Sequence, residues 1–121
     1  MGKMYRVKVT VLQRAFFPEM TKPYITNFDR FQKCPCLKEG QVFETSGFLE
    51  CPEGLCAEAW QAIWPTAFAI SRGGTFAPYL NQENIGIACC TDGMRPVTFL
   101  IERGEEMPPY MEPIVEKKDN E

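Results

Sequence analysis

Residues 85–103 read Ile85-Gly86-Ile87-Ala88-Cys89-Cys90-Thr91-Asp92-Gly93-Met94-Arg95-Pro96-Val97-Thr98-Phe99-Leu100-Ile101-Glu102-Arg103, two strand-like runs around a turn-forming centre. Asp-Gly between such runs marks a hairpin, because these residues tolerate the backbone angles of tight turns. The tightest hairpin would set Pro96 opposite Cys89 at a hydrogen-bonding position, and proline has no N–H to give. The spacing therefore predicts a longer loop over Thr91 to Arg95, with Cys89 and Cys90 at the strand end.

Upstream, Tyr5, Val7, Val9 and Val11 alternate with Arg6, Lys8 and Thr10, the period of a half-buried strand. Gly40 to Thr45 reads as another strand, opened by a glycine turn and rich in residues that suit a pleated surface. Between them, residues 15–33 carry Pro18, Pro23 and scattered aromatics without a sustained period, and read as a packed connector with one short helix. After Cys51-Pro52-Glu53-Gly54, the spacing of Leu55, Ala59, Trp60, Ile63, Trp64, Ala67 and Phe68 is that of an amphipathic helix, stopped at Arg72-Gly73-Gly74. Pro65 inside that run predicts a kink or a division into two helices. Together these elements predict an α+β fold: a small antiparallel sheet of about four strands, covered on one face by the helical region from Leu55 to Ser71.

A chain of 121 residues is long enough to bury a core as one domain without disulfides, here residues 1–103. Residues 104–121 hold six acids against Lys117 and Lys118 together with Pro108, Pro109 and Pro113, and read as a mobile acidic tail. Net charge is -3, and with -4 in the tail the body is near neutral, which supplies no electrostatic footprint for nucleic acid. No stretch approaches the roughly 20 apolar residues of a membrane span. Met1 to Arg6 lead directly into the first strand with no apolar leader, which points to the cytoplasm and reduced thiols.

Six cysteines and no histidine set the chemistry. Serine-histidine and cysteine-histidine pairs and mixed histidine zinc sites are excluded, since each requires an imidazole. The cysteines form three close groups, Cys34/Cys36, Cys51/Cys56 and Cys89/Cys90. Cys56 falls in the first turn of the expected helix, where unpaired N–H groups and the dipole favour a thiolate; it equally suits a small buried position beneath Trp60. Cys34-Pro35-Cys36 is shorter than the usual zinc knuckle, and in extended backbone its sulfurs point to opposite sides. Cys89 and Cys90 likewise alternate in a strand, so both reach one centre only where the chain bends. Asp92 and Arg95 beside them serve either the turn or an anionic group, while Trp60 and Trp64 at helical spacing read as core.

The motifs Cys34-Pro35, Lys38-Glu39-Gly40-Gln41-Val42-Phe43, Pro52-Glu53-Gly54-Leu55-Cys56, Ala59-Trp60 and Ala88-Cys89-Cys90-Thr91-Asp92-Gly93-Met94-Arg95-Pro96-Val97-Thr98-Phe99 resemble a family of small, functionally uncharacterised bacterial and archaeal proteins frequent in anaerobes. The likeness runs from the first strand to about Glu102. It implies that Cys34, Cys56, Cys89 and Cys90 occupy the family's cysteine positions, with Cys36 and Cys51 as additions. Four thiols match a tetrahedral zinc or an iron-sulfur cluster, so the expected function is a cytoplasmic protein binding such a centre through those four, with Cys36 or Cys51 as substitutes. Two alternatives stand beside it: a thiol redox or sulfur-transfer protein with Cys56 as nucleophile, and a binding module with structural cysteines that meets a protein or small-molecule partner.

Overall fold

The Val7-Lys8-Val9-Thr10-Val11 alternation forms the middle of β1 (Tyr5–Arg14), with the valines buried and Lys8 in water. In the computed structural model, which describes residues 2–108, it is followed by α1 (Pro18–Thr21), a single 3-10 turn (Phe28–Arg30), β2 (Val42–Thr45), α2 (Ala57–Ser71), β3 (Ile85–Cys89) and β4 (Val97–Glu106). The four strands make one antiparallel sheet in the order β2-β1-β4-β3. The long strands β1 and β4 lie in the centre and the short ones at the edges, which leaves little unpaired strand edge exposed.

The expected longer loop is present: Cys89 pairs with Thr98 rather than Pro96, and residues 90–96 connect β3 to β4. Proline thereby escapes a position that needs an N–H. β4 continues past Arg103 to Glu106, and Met107 N donates to the Met4 carbonyl at 2.7 Å. The remainder of the expected acidic tail, from Pro109 onward, lies outside the described residues.

Helix α2 packs Ala59, Trp60, Ile63, Ala67 and Ile70 into one buried cluster with Val7, Val9, Val11, Val97, Phe99 and Ile101. For this helix, the division expected as one outcome at Pro65 and the core position expected of Trp64 are corrected. Pro65 does not divide it; Gln61, whose carbonyl the missing N–H would have satisfied, is exposed and open to water. Trp64 and Phe68 are not core but stack on each other at 5.1 Å, half-exposed, because they lie outside the Ala59-Ile63-Ala67-Ile70 stripe. The last turn is tied down by Arg103 of β4, whose Nε donates to the Ile70 carbonyl at 2.8 Å and whose Nη2 donates to the Gly74 carbonyl. A cation there satisfies end carbonyls and opposes the helix dipole.

Sheet and helix approach closely at Gly86, where an added Cβ would lie 2.5 Å from Thr66 Cγ2 and 3.2 Å from Phe76 Cε2. Thr66 is β-branched and held in a helix, so it has few rotamers with which to yield. Gly86→Ala is expected to lower the urea unfolding free energy by about 1–3 kcal/mol at an unchanged denaturant slope. An alanine variant as stable as the parent would show that β3 and α2 are not in fixed contact.

Candidate functional site

Three segments distant in sequence meet at a pocket of about 150 Å³: Cys34 and Cys36 ahead of β2, Cys56 at the start of α2, and Cys90, Asp92 and Arg95 from the β3–β4 connection. Leu37, Ala59 and Val97 supply apolar wall and belong to the buried core. Among the described residues, no group of three or more Cys, Asp and Glu already stands in an arrangement that holds a metal ion.

The Cys34–Lys38 loop is pinned from two sides. Leu37 is 2% exposed, an anchor in the core, and Arg14 at the end of β1 donates from Nη1 to the Cys34 carbonyl at 2.9 Å. The same guanidinium holds Glu39 through Nε at 3.0 Å. Pro35 and Cys36 form a turn, so the strand alternation expected to separate the two sulfurs does not apply, and both cysteines line the pocket.

Cys56 is the N-cap of α2 rather than a first-turn residue, and its sulfur makes no capping hydrogen bond. Its exposed side chain lies on the pocket wall, not beneath Trp60. Cys90 is half-buried against the core, and its sulfur accepts the Val97 N–H at 3.3 Å while its own N–H donates to the Val97 carbonyl at 3.0 Å. A backbone N–H directed at sulfur is the kind of contact that orients a thiolate ligand.

The remaining cysteines stand apart. Cys89 ends β3 opposite Thr98, exposed like Ile87 two residues earlier, and is not among the pocket residues. Strand alternation is the reason: Cys90 turns inward, so its neighbour turns outward. Cys51 directs its thiol to the Pro52 and Leu55 carbonyls at 3.7 and 3.6 Å, within its own turn. Three of the four cysteines expected to act together therefore share the pocket, and Cys36 accompanies them. The signal for Cys36 was Pro35, which favours a turn over extended backbone between two thiols.

Asp92 fulfils the turn role expected of it and more. Its Oδ1 accepts from Met94 N at 2.9 Å and Arg95 N at 3.2 Å, and its Oδ2 accepts from Arg95 Nε at 3.1 Å. Arg95 also donates to the Gln32 carbonyl at 3.3 Å and lies over the Phe31 ring at 4.3 Å, which joins the hairpin loop to the segment carrying Cys34 and Cys36. Burial acts to raise the Asp92 carboxyl, and hydrogen bonds from Met94 and Arg95 with the Arg95 charge outweigh it, holding the group below its ordinary value. The Cys36 thiol is pushed up chiefly by the charge of Cys34, then by burial, a side-chain hydrogen bond with Cys34 and the charge of Cys56; Arg95 acts in the opposite sense.

A larger cleft of about 550 Å³ lies along β1, β2 and β4, where Arg6, Lys8 and Arg103 face Glu44, Glu50, Glu102 and Glu105. Its charges largely answer one another, as in the Lys8–Glu102 pair at 3.9 Å, and it holds no cysteine. Compared with protein-family models, curated proteins and solved structures, the chain matches none of them.

Asp92→Asn keeps an acceptor oxygen and removes the charge. In metal-free protein at pH 7, the variant is expected to be about 1 kcal/mol less stable, discounted because the carboxylate is partly exposed. The lowered group contributes fully above its unfolded value of about 3.9 and loses that contribution as pH falls through the folded value. Chemical unfolding across pH should therefore show the gap closing only in acid; a gap unchanged down to the most acidic samples would assign it to something other than charge.

Proposed function

We propose that the protein binds a metal or iron-sulfur centre through the thiolates of Cys34, Cys36, Cys56 and Cys90. The observation that carries this reading is the convergence of these four side chains on one pocket, where Cys34 and Cys56 both act on Cys36 by charge. Thiolates crowded together repel, and a bound cation turns that repulsion into attraction. A site of four sulfurs without imidazole suits soft acceptors, zinc or an iron-sulfur cluster. Four thiolates around a dication leave a net charge of about -2.

The resemblance to the uncharacterised anaerobe family is carried within this proposal, with one change of residue. Cys36 replaces Cys89 in the ligand set, because Cys36 lines the pocket and exposed Cys89 does not. The reading takes α2 as the layer over one face of the sheet, which sets Cys56 beside the end of β3. It also takes the setting to be reducing and cytoplasmic, where free thiols persist. Among the described residues no helix is long and apolar enough to cross a membrane.

Purification without oxygen, followed by metal and acid-labile sulfide analysis and a visible spectrum, tests the proposal. Serine in place of Cys34, Cys36, Cys56 or Cys90 is expected to weaken metal binding by at least about tenfold each, while Cys51→Ser and Cys89→Ser leave it unchanged. A folded, colourless and metal-free parent protein would overturn the reading. So would dependence on Cys89 combined with indifference to Cys36.

A further inference from the structure

Cys34 and Cys36 differ from the other pocket thiols in sharing one short turn. Cys56 reaches the pocket from the start of a helix, and Cys90 is half-buried with its sulfur engaged by the Val97 N–H. Joining either of those to another sulfur couples separate elements of the fold. Cys34 and Cys36 need no such movement, since the turn at Pro35-Cys36 already brings both to the same pocket. The backbone on either side is held by Arg14 at the Cys34 carbonyl and by buried Leu37, so the pair is presented on a fixed loop. Cys36 is exposed, which gives a small molecule access, and Cys34 behind it is only half-buried.

We propose that Cys34 and Cys36 also act as a dithiol that exchanges with small disulfides, forming a Cys34–Cys36 disulfide and thereby releasing the metal. The release half rests on the metal reading above; the exchange half does not. Both cysteines line the one pocket with a single proline between them in sequence.

The substrate class is a low-molecular-weight disulfide, which is also the oxidant. Access rather than acidity selects exposed Cys36: the small fraction of its sulfur that is deprotonated attacks one sulfur of the small disulfide; that S–S bond breaks, one thiolate leaves, and a mixed disulfide forms on Cys36. The deprotonated sulfur of Cys34 then attacks Cys36 Sγ and displaces the second thiolate. In metal-free protein two protons pass from the cysteines to the two leaving thiolates; in metal-loaded protein, where the cysteines are already thiolates, the leaving thiolates take their protons from water. The cysteine pair loses two electrons and the small disulfide gains them. With these two ligands joined, only Cys56 and Cys90 remain for the metal, too few for a closed tetrahedral site. A disulfide between residues so near in sequence is strained and readily reduced, so dithiol reductants return the pair to the binding state.

Oxidised glutathione is the probe, applied without oxygen to metal-free and zinc-loaded full-length protein. Trypsin cleaves after Lys33 and Lys38, which isolates both cysteines in the peptide Cys34-Pro35-Cys36-Leu37-Lys38. That peptide is expected to lose about 2 Da and to resist alkylation, both reversed by dithiothreitol. In zinc-loaded protein, a chelating dye should register about one zinc ion released per internal disulfide formed. Cys36→Ser, or Cys34→Ser where the first fails to fold by circular dichroism, should form no internal disulfide in metal-free protein. A peptide that stays reduced, or a cross-link that maps to Cys56 or Cys90, overturns the exchange. Failure of the parent protein to bind zinc or iron, with the peptide still oxidised, overturns the metal reading and the release half and leaves the exchange standing.

Discussion

The ladder between β1 and β4 is the constraint on which the other features depend. Val9 stands opposite Ile101 and Val11 opposite Phe99, all of them buried, and the same cluster takes in Ile63 and Ile70 of α2. After a shift in register between Val11 and Gln13 the ladder resumes with Arg14 opposite Val97, so the end of one central strand and the beginning of the other lie side by side. Each of these residues holds a pocket cysteine: Arg14 through the Cys34 carbonyl and Val97 through the Cys90 sulfur. A slip by one residue would exchange buried and exposed sets on β1 and separate these supports. The site is thus an outgrowth of the core register, even though its thiols lie at the surface.

The other end of α2 is fixed from the same ladder. Arg103 on β4 engages the carbonyls that finish the helix, and Arg72 reaches the Gly47 carbonyl at 2.8 Å. Held at its C-terminal end and packed along Ile63 and Ile70, the helix presents Cys56 at its opposite end. Arg95 closes the arrangement from outside by joining the hairpin loop to Phe31 and Gln32. With Arg14 at the Cys34 carbonyl, four arginines therefore do the positioning at the loops, where apolar area is scarce. Guanidinium suits this work because it offers several donors in a fixed plane and stacks on rings.

Crowding of sulfur on sulfur is the chemical counterpart of this geometry. Cys36 resists ionisation because Cys34 and Cys56 are near it, with Arg95 providing partial relief. Two responses remove that repulsion: a cation among the thiolates, or a covalent bond between two of them. The proposed function and the proposed exchange are these two responses, and they compete for the same sulfur atoms.

Local patterns carried much of the fold. The Val7-Val9-Val11 alternation, the helix after Gly54, the Gly73 stop and the obstacle at Pro96 each act within a few residues, so periodicity and backbone chemistry reveal them. The absence of histidine likewise restricts the chemistry wherever the remaining residues lie. Strand order and the meeting of Cys34, Cys36, Cys56 and Cys90 depend on contacts between distant segments, which no local period encodes. The exchange of Cys89 for Cys36 is the sharpest instance. Alternation in β3 said that Cys89 and Cys90 face apart, but only the register of β3 on β4 and the packing of α2 decided which one faces the pocket. Pro35 marked a turn, but only the tie from Arg14 and the burial of Leu37 decided where that turn points.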